Sequence, residues 1–322
     1  MRRRLLGFLV LPALVIAVLF LPLSPRGLGS HPHPTHNYAE ALDSIAAFTR
    51  ADGTRVAPEC RSTLYTHGRS VAHAIVMFHG LTNCPAQFDS LARIAYGRGA
   101  NVFVPRLPRH GMADRMTKEL GRSDAHELVL FTDRAIDAAH GLGDSVTVVG
   151  LSVGGTLAAW AAQERTDVRR AVLIAPMIGV AKAPGVFTPV VARMTALLPN
   201  LFVWWNPKEK QALAGPRHVY PRFASRSVAA TLMVGGETMQ AARRAPPGAR
   251  SIAFVTVEED PAVDNGAIAE LARVWQHASV PVVVERSQFP KALKLNHDIV
   301  DPAQVGANPS VTYPVLTRLI GP

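Results

Sequence analysis

Two cysteines in 322 residues are far too few to build a disulfide scaffold, and charged side chains make up only 18% of the chain, too few for a solvated, unfolded polymer. The 25 prolines and 24 glycines follow no period, which excludes collagen-like order. No internal repeat is present, so solenoids and propellers are excluded as well. Aromatics are scarce at 7%, and no Lys/Arg run is interleaved with them, so the footprint of a nucleic-acid groove is missing. Acids are absent before Glu40. What remains is a chain with 48% hydrophobic residues, long enough to bury a large core.

The formal charge of +10 is inflated by Arg2, Arg3, Arg4 and Arg26, which flank an N-terminal apolar run. Without them the balance is +6, a value that bears on solubility rather than on a partner. Leu5 to Leu23 carries no charged or strongly polar side chain and is long enough to cross a bilayer core. No clear small-x-small cleavage site follows it. Residues 1–24 are therefore expected to form a signal anchor or transmembrane helix. The arginines stay in the cytoplasm, and the remainder lies outside it, or is secreted if the segment is cleaved.

Residues 25–40, with Pro25, Gly27, Gly29, Pro32 and Pro34, read as a flexible linker. His31, His33 and His36 alternate there with prolines but lack a rigid frame for metal coordination, so no metal is expected. In an oxidising compartment Cys60 and Cys84 are expected to pair, stabilising the fold by about 3 to 4 kcal/mol on the chain-entropy model. Two buried free thiols are the plainer alternative.

Between residues 41 and 322 short β-branched runs alternate with helical spacing. Strands are expected at Ala74–Phe78, Asn101–Val104, Val146–Val149, Ala171–Ile174, Ile252–Val257 and Val280–Val284. Helices are expected at Ala86–Tyr96, Asp124–His140, Ser152–Gln163, Asn265–His277 and Val311–Ile320. This order implies an α/β domain with a mostly parallel sheet flanked by helices. The rhythm breaks between Ile174 and Ile252. That interval, about 177–245, is expected to form a helical cap over a pocket, or else sheet-covering helix and loop.

Gly150-Leu151-Ser152-Val153-Gly154 spells GxSxG at the junction of an apolar strand and an Ala-rich helix, the context in which a strained serine serves as nucleophile. Such a serine needs a base and an acid that orients it. His297, on a loop beyond the last expected strand, is the best-placed histidine. Asp260, three residues past its strand, is the preferred acid, while Asp264 sits where a helix N-cap belongs. The order Ser, Asp, His suits a nucleophile elbow. Oxyanion donors are expected from the backbone N–H groups of Val153 and Leu81, the latter in the His79-Gly80-Leu81-Thr82-Asn83 loop. His79 itself reads as structural.

Together, His79-Gly80, the Gly150–Gly154 elbow, Asp260 and His297 resemble the α/β-hydrolase superfamily, in particular its carboxylesterase and monoacylglycerol-lipase-like branch. The segment Pro105–Gly111 is similar too, and in that branch His110 is a structural residue. The HGGG form of the oxyanion loop is absent, which disfavours the hormone-sensitive-lipase type. The resemblance covers roughly residues 60–320. It implies an eight-stranded sheet, a cap, no cofactor, and ester hydrolysis through an acyl-serine intermediate on a small or lipid-like acyl ester. Transfer of the acyl group to an alcohol or amine, peptidase activity, and a non-catalytic, membrane-tethered binding protein on the same fold stand as alternatives.

Overall fold

The computed structural model describes residues 27–181, 188–211, 213 and 215–321. The expected anchor at 1–24 lies outside the described residues. Among those described, no helix is long and apolar enough to cross a membrane.

Among the described residues the order begins with α1 (Tyr38–Asp52), β1 (Thr63–Tyr65), β2 (Val71–Phe78), α2 (Asp89–Gly97), β3 (Asn101–Val104), α3 (Ala125–His140), β4 (Gly143–Leu151), α4 (Val153–Glu164) and β5 (Val168–Ile174). The inserted interval holds α5 (Thr188–Leu197), β6 (Phe202–Trp204), β7 (Arg222–Ala224) and α6 (Ser225–Arg244). β8 (Ser251–Val257), α7 (Asn265–Gln276), β9 (Val283–Phe289) and α8 (Pro309–Ile320) complete the chain.

Among the described residues the main sheet has seven strands in the order β1-β3-β2-β4-β5-β8-β9, where the resemblance implies eight. Among these described strands β1 alone is antiparallel, paired with β3 through Leu64 and Phe103. The other neighbours are parallel, with Val76 beside Val148, Val148 beside Ala171, and Leu173 beside Phe254. Successive residues along β4, β5 and β8 are buried, as Val/Ile/Leu-rich strands must be when both faces are covered. One helical layer is α2 with α8; the other is α3, α4, α6 and α7. β9 starts three residues later than expected. It is an edge strand whose register is set by pairing with β8, and the Val280-Pro281 stretch stays outside because proline cannot donate to a ladder.

The stretch read as a flexible linker is fixed in place from Gly27 onward, with helix beginning at Tyr38. It runs along α3 as a strap. Ser30 Oγ and His31 N donate to the carboxylate of Asp133, Thr35 N and Oγ1 to Asp137 O, and Trp160 Nε1 to Leu28 O. Asp133 is in turn held by the fully buried Arg165, which also pairs with Asp137 and Asp167. Local composition cannot reveal partners a hundred residues away.

The cap divides in two. α6 packs on α4 and buries Leu232, Val234 and Thr238, so it thickens the helical layer. The hairpin β6–β7 and the loop between its strands turn toward the carboxyl edge of the sheet instead. Trp205 Nε1 donates to Thr82 Oγ1 at 2.9 Å, and Tyr220 N donates to Thr82 O at 2.8 Å.

Candidate active site

Parallel pairing puts the ends of β2, β4, β8 and β9 along one edge, so the loops that leave them converge there. Ser152 stands between β4 and α4 with φ 58° and ψ −113°, a conformation sparsely populated by residues with a Cβ. The flanking glycines are required by contact. A Cβ on Gly150 would lie 2.0 Å from Gly154 O, and one on Gly154 would lie 1.9 Å from Phe78 O. Any side chain at either position pushes α4 off the sheet. The strained turn is tied down on both sides, with Ser152 N donating to Ile174 O at 2.9 Å and Met177 N to Ser152 O at 3.1 Å.

His297 and Asp260, expected to meet, do so. His297 Nδ1 lies 2.8 Å from Asp260 Oδ2 and 3.0 Å from Oδ1. The Asp260 side chain is fully buried, and its Oδ1 also accepts from Ala262 N and Val263 N, which holds the carboxylate in one orientation. His297 Nε2 is buried and has no hydrogen-bond partner among the described residues. Asp264 caps α7, accepting from Gly266 N, as its position in the sequence indicates.

Ser152, His297 and Leu81 line one cavity of about 440 Å³, whose wall also includes Leu151, Met177, Trp205, Val219, Pro261 and Ala262. Among the described residues, the cap contributes its loops and no residue of α5 or α6 to this wall. Val153 is the first residue of α4, where an N–H has no intrahelical acceptor and the helix dipole favours negative charge.

His79 is buried, and its Nε2 accepts from Leu107 N at 3.0 Å. The proton therefore sits on Nδ1, which donates to Gly80 O at 3.0 Å, and burial holds the ring well below the ordinary histidine range. This histidine joins β2 to the segment after β3 and is absent from the cavity wall. His110 is equally buried and is pushed down to about 4 by desolvation. Cys60 and Cys84 form a disulfide at the end of the Gly80–Cys84 loop. Among the described residues no cluster of His, Cys, Asp or Glu has a metal-binding arrangement.

Three residues in the wall carry no sequence signal. Gln87 Oε1 accepts from Gly80 N at 2.7 Å, and Gln87 Nε2 donates to Asp298 Oδ2 at 2.6 Å. Asn83 Nδ2 reaches the same oxygen at 3.3 Å. Nothing in the spacing of Asn83, Gln87 and Asp298 marks them, since the partners are more than two hundred residues apart.

A family model described as the alpha/beta hydrolase family matches residues 75–290. The chain belongs to that family. Among solved structures it is similar to one from a study of two metagenome-derived lipolytic enzymes, LipS and LipT, at 18% identity and a TM-score of 0.57, covering 76% of this chain and 94% of that one. It is similar to a monoacylglycerol lipase of Paleococcus ferrophilus at 16% identity and TM-score 0.55, covering 74% and 90%. A soluble variant of the Saccharomyces cerevisiae monoglyceride lipase matches at 13% identity and TM-score 0.58, covering 79% and 88%. At these identities the likeness is one of fold. No curated protein sequence matches the chain.

Proposed function

We propose that the protein is a serine hydrolase that cleaves carboxylic esters through an acyl-serine intermediate, with Ser152, His297 and Asp260 as its triad. One observation carries this reading: His297 is held through Nδ1 by a buried carboxylate, and its other ring nitrogen is buried without a partner among the described residues, in a cavity that Ser152 also lines. Asp260 fixes the tautomer in which Nε2 is the base. Nε2 takes the Ser152 Oγ proton as Oγ bonds to the acyl carbon, and the electron pair of the carbonyl moves to oxygen. The N–H groups of Leu81 and Val153 hold that oxyanion. Collapse breaks the bond to the alcohol, which leaves with the proton from Nε2–H. Water, deprotonated by the same nitrogen, then releases the acid and regenerates Ser152.

The apolar wall favours an acyl chain or another apolar ester substituent, in keeping with the lipolytic enzymes whose fold it shares. The apolar run Leu5–Leu23 behind Arg2, Arg3 and Arg4 supports a membrane-tethered arrangement. Gly27 O lies against His126, at the start of α3. Since α3 runs back along the sheet to reach the start of β4, that end lies near the edge that holds Ser152.

The test is labelling by a fluorophosphonate probe and turnover of short- and long-acyl p-nitrophenyl esters, for wild type and Ser152→Ala. Loss of both in the variant supports the reading; labelling that survives overturns it. Recovery of the full chain in the carbonate-washed membrane fraction, and its release on deleting residues 1–26, tests the anchor.

A further inference from the structure

Two loops must be in register for the proposed reaction: the Gly80–Cys84 loop, which presents the Leu81 N–H, and the loop that carries His297. They leave different strands, β2 and β9, at separate places in the sheet. Asp298 follows His297 in the chain, yet its carboxylate turns away to the other loop. Oδ1 accepts from Val300 N and Asp301 N at 3.1 and 3.0 Å, closing its own loop. Oδ2 accepts from Gln87 Nε2, whose amide oxygen in turn accepts Gly80 N. Gln87 is buried, so neither bond is exchanged freely with water.

We infer that Gln87 and Asp298 are positioning residues, a strut from the His297 loop to the backbone of Gly80 that sets the distance between the base and the Leu81 oxyanion donor. This rests on the acyl-serine reading. The polarity of the strut is fixed: Asp298 offers only acceptors, Gln87 must donate to it, and the remaining Gln87 oxygen must take the Gly80 proton. That requirement makes the strut reversible by exchange of its two ends. In Asp298→Asn, either the Gln87 side or the Val300/Asp301 side faces a second donor. In Gln87→Glu, two carboxylates meet. With both changes together, the new amide at position 298 accepts the two backbone N–H groups through its oxygen and donates through its nitrogen to the new carboxylate at position 87, and only the longer contact from Asn83 Nδ2, 3.3 Å in the wild type, is lost. The other oxygen of that carboxylate still accepts Gly80 N.

The experiment measures ester kinetics, the inhibition constant of a trifluoromethyl ketone and the melting temperature. The proteins are wild type, the near-isosteric Gln87→Met, both polar single variants and the double variant. A trifluoromethyl ketone adduct places an oxyanion where the transition state does. Loss of register lowers kcat and weakens the inhibitor together, by about 10- to 100-fold, less than the complete loss of one donor, with KM changed by less than about threefold. The double variant recovers at least about 10-fold over either single one. Folded single variants with kcat and inhibition within about threefold of wild type, or a double variant no better than its parents, overturn the strut. So does a loss in Gln87→Met that follows the melting temperature and not the inhibition constant. A wild type unlabelled at Ser152 overturns the acyl-serine reading itself and this inference with it.

Discussion

Asp260 Oδ2 lies 2.8 Å from His297 Nδ1, and the same carboxylate is pinned through Oδ1 by Ala262 N and Val263 N. Asp264, four residues on, spends its carboxylate on a helix cap. The two acids therefore differ in what their loss does. Asp260→Asn leaves the fold intact but offers an amide where the imidazole proton must be accepted, and kcat/KM falls by about 10⁴-fold. Asp264→Asn, which also caps a helix, stays within about twofold of wild type. Steady-state kinetics on both variants checks the assignment, and equal losses would count against it.

The strands and helices that frame the cavity were legible because each is a run long enough for its own period to show: β4, α4 and α3 fall within a few residues of expectation. The elbow, Asp260 and His297 were legible because their chemistry is tied to strand ends, which sequence locates. The strap was not, since Pro32 and Pro34 read as loose chain while the bonds from Ser30 and Thr35 to α3 span more than a hundred residues. For the same reason Gln87 and Asp298 went unmarked: a polar residue becomes part of a site only when the fold supplies its partner. In the cap, the length of the interval pointed to helix but gave no sign that the buried face of α6 meets α4 and not the cavity.

The Cys60–Cys84 bond closes a loop of 24 residues and anchors the end of the Gly80–Cys84 segment against the short turn at Pro58–Cys60. Reduction should lower the unfolding free energy by about 3 kcal/mol through the unfolded chain's regained freedom. Urea titrations with and without dithiothreitol measure this, and the Cys60→Ala/Cys84→Ala protein should be insensitive to the reductant. An unchanged midpoint for the wild type on reduction would show that packing alone holds the loop.

Trp205 is 47% exposed, yet its indole N–H reaches Thr82 Oγ1, and its ring packs 4.5 Å from Phe223 at the cavity rim. Trp205→Phe keeps the apolar wall and loses a hydrogen bond worth about 1 kcal/mol, so a change of no more than about fivefold in kcat/KM is expected. Trp205→Ala removes part of the wall itself. Its KM for a long-chain ester should rise by about 10-fold, near 1.5 kcal/mol, and that for an acetate ester by much less. Comparing the two esters separates a wall that touches substrate from a rim that only braces the loop.

His110 lies buried, with Nδ1 donating to Pro108 O at 2.7 Å, Nε2 without a partner among the described residues and the Arg106 guanidinium nearby. Desolvation is the larger cause of its shift down to about 4, and the Arg106 charge adds to it. The unfolded chain returns this histidine to about 6.5, so between about 6.5 and 4 the unfolded state binds a proton that the folded state refuses. Its contribution is thus fully present above pH 6.5 and is lost as the pH falls, by about 3 kcal/mol at pH 4, where the folded form begins to protonate and the loss levels off. His79, held low by its own burial, acts in the same direction. His110→Asn preserves a donor to Pro108 O and cannot titrate. The variant is less stable than wild type at pH 7.5, but its unfolding free energy should fall less steeply from pH 7 to 4.5. Urea unfolding across that range reads the slope, and parallel lines for the two proteins would remove His110 as a source of acid sensitivity.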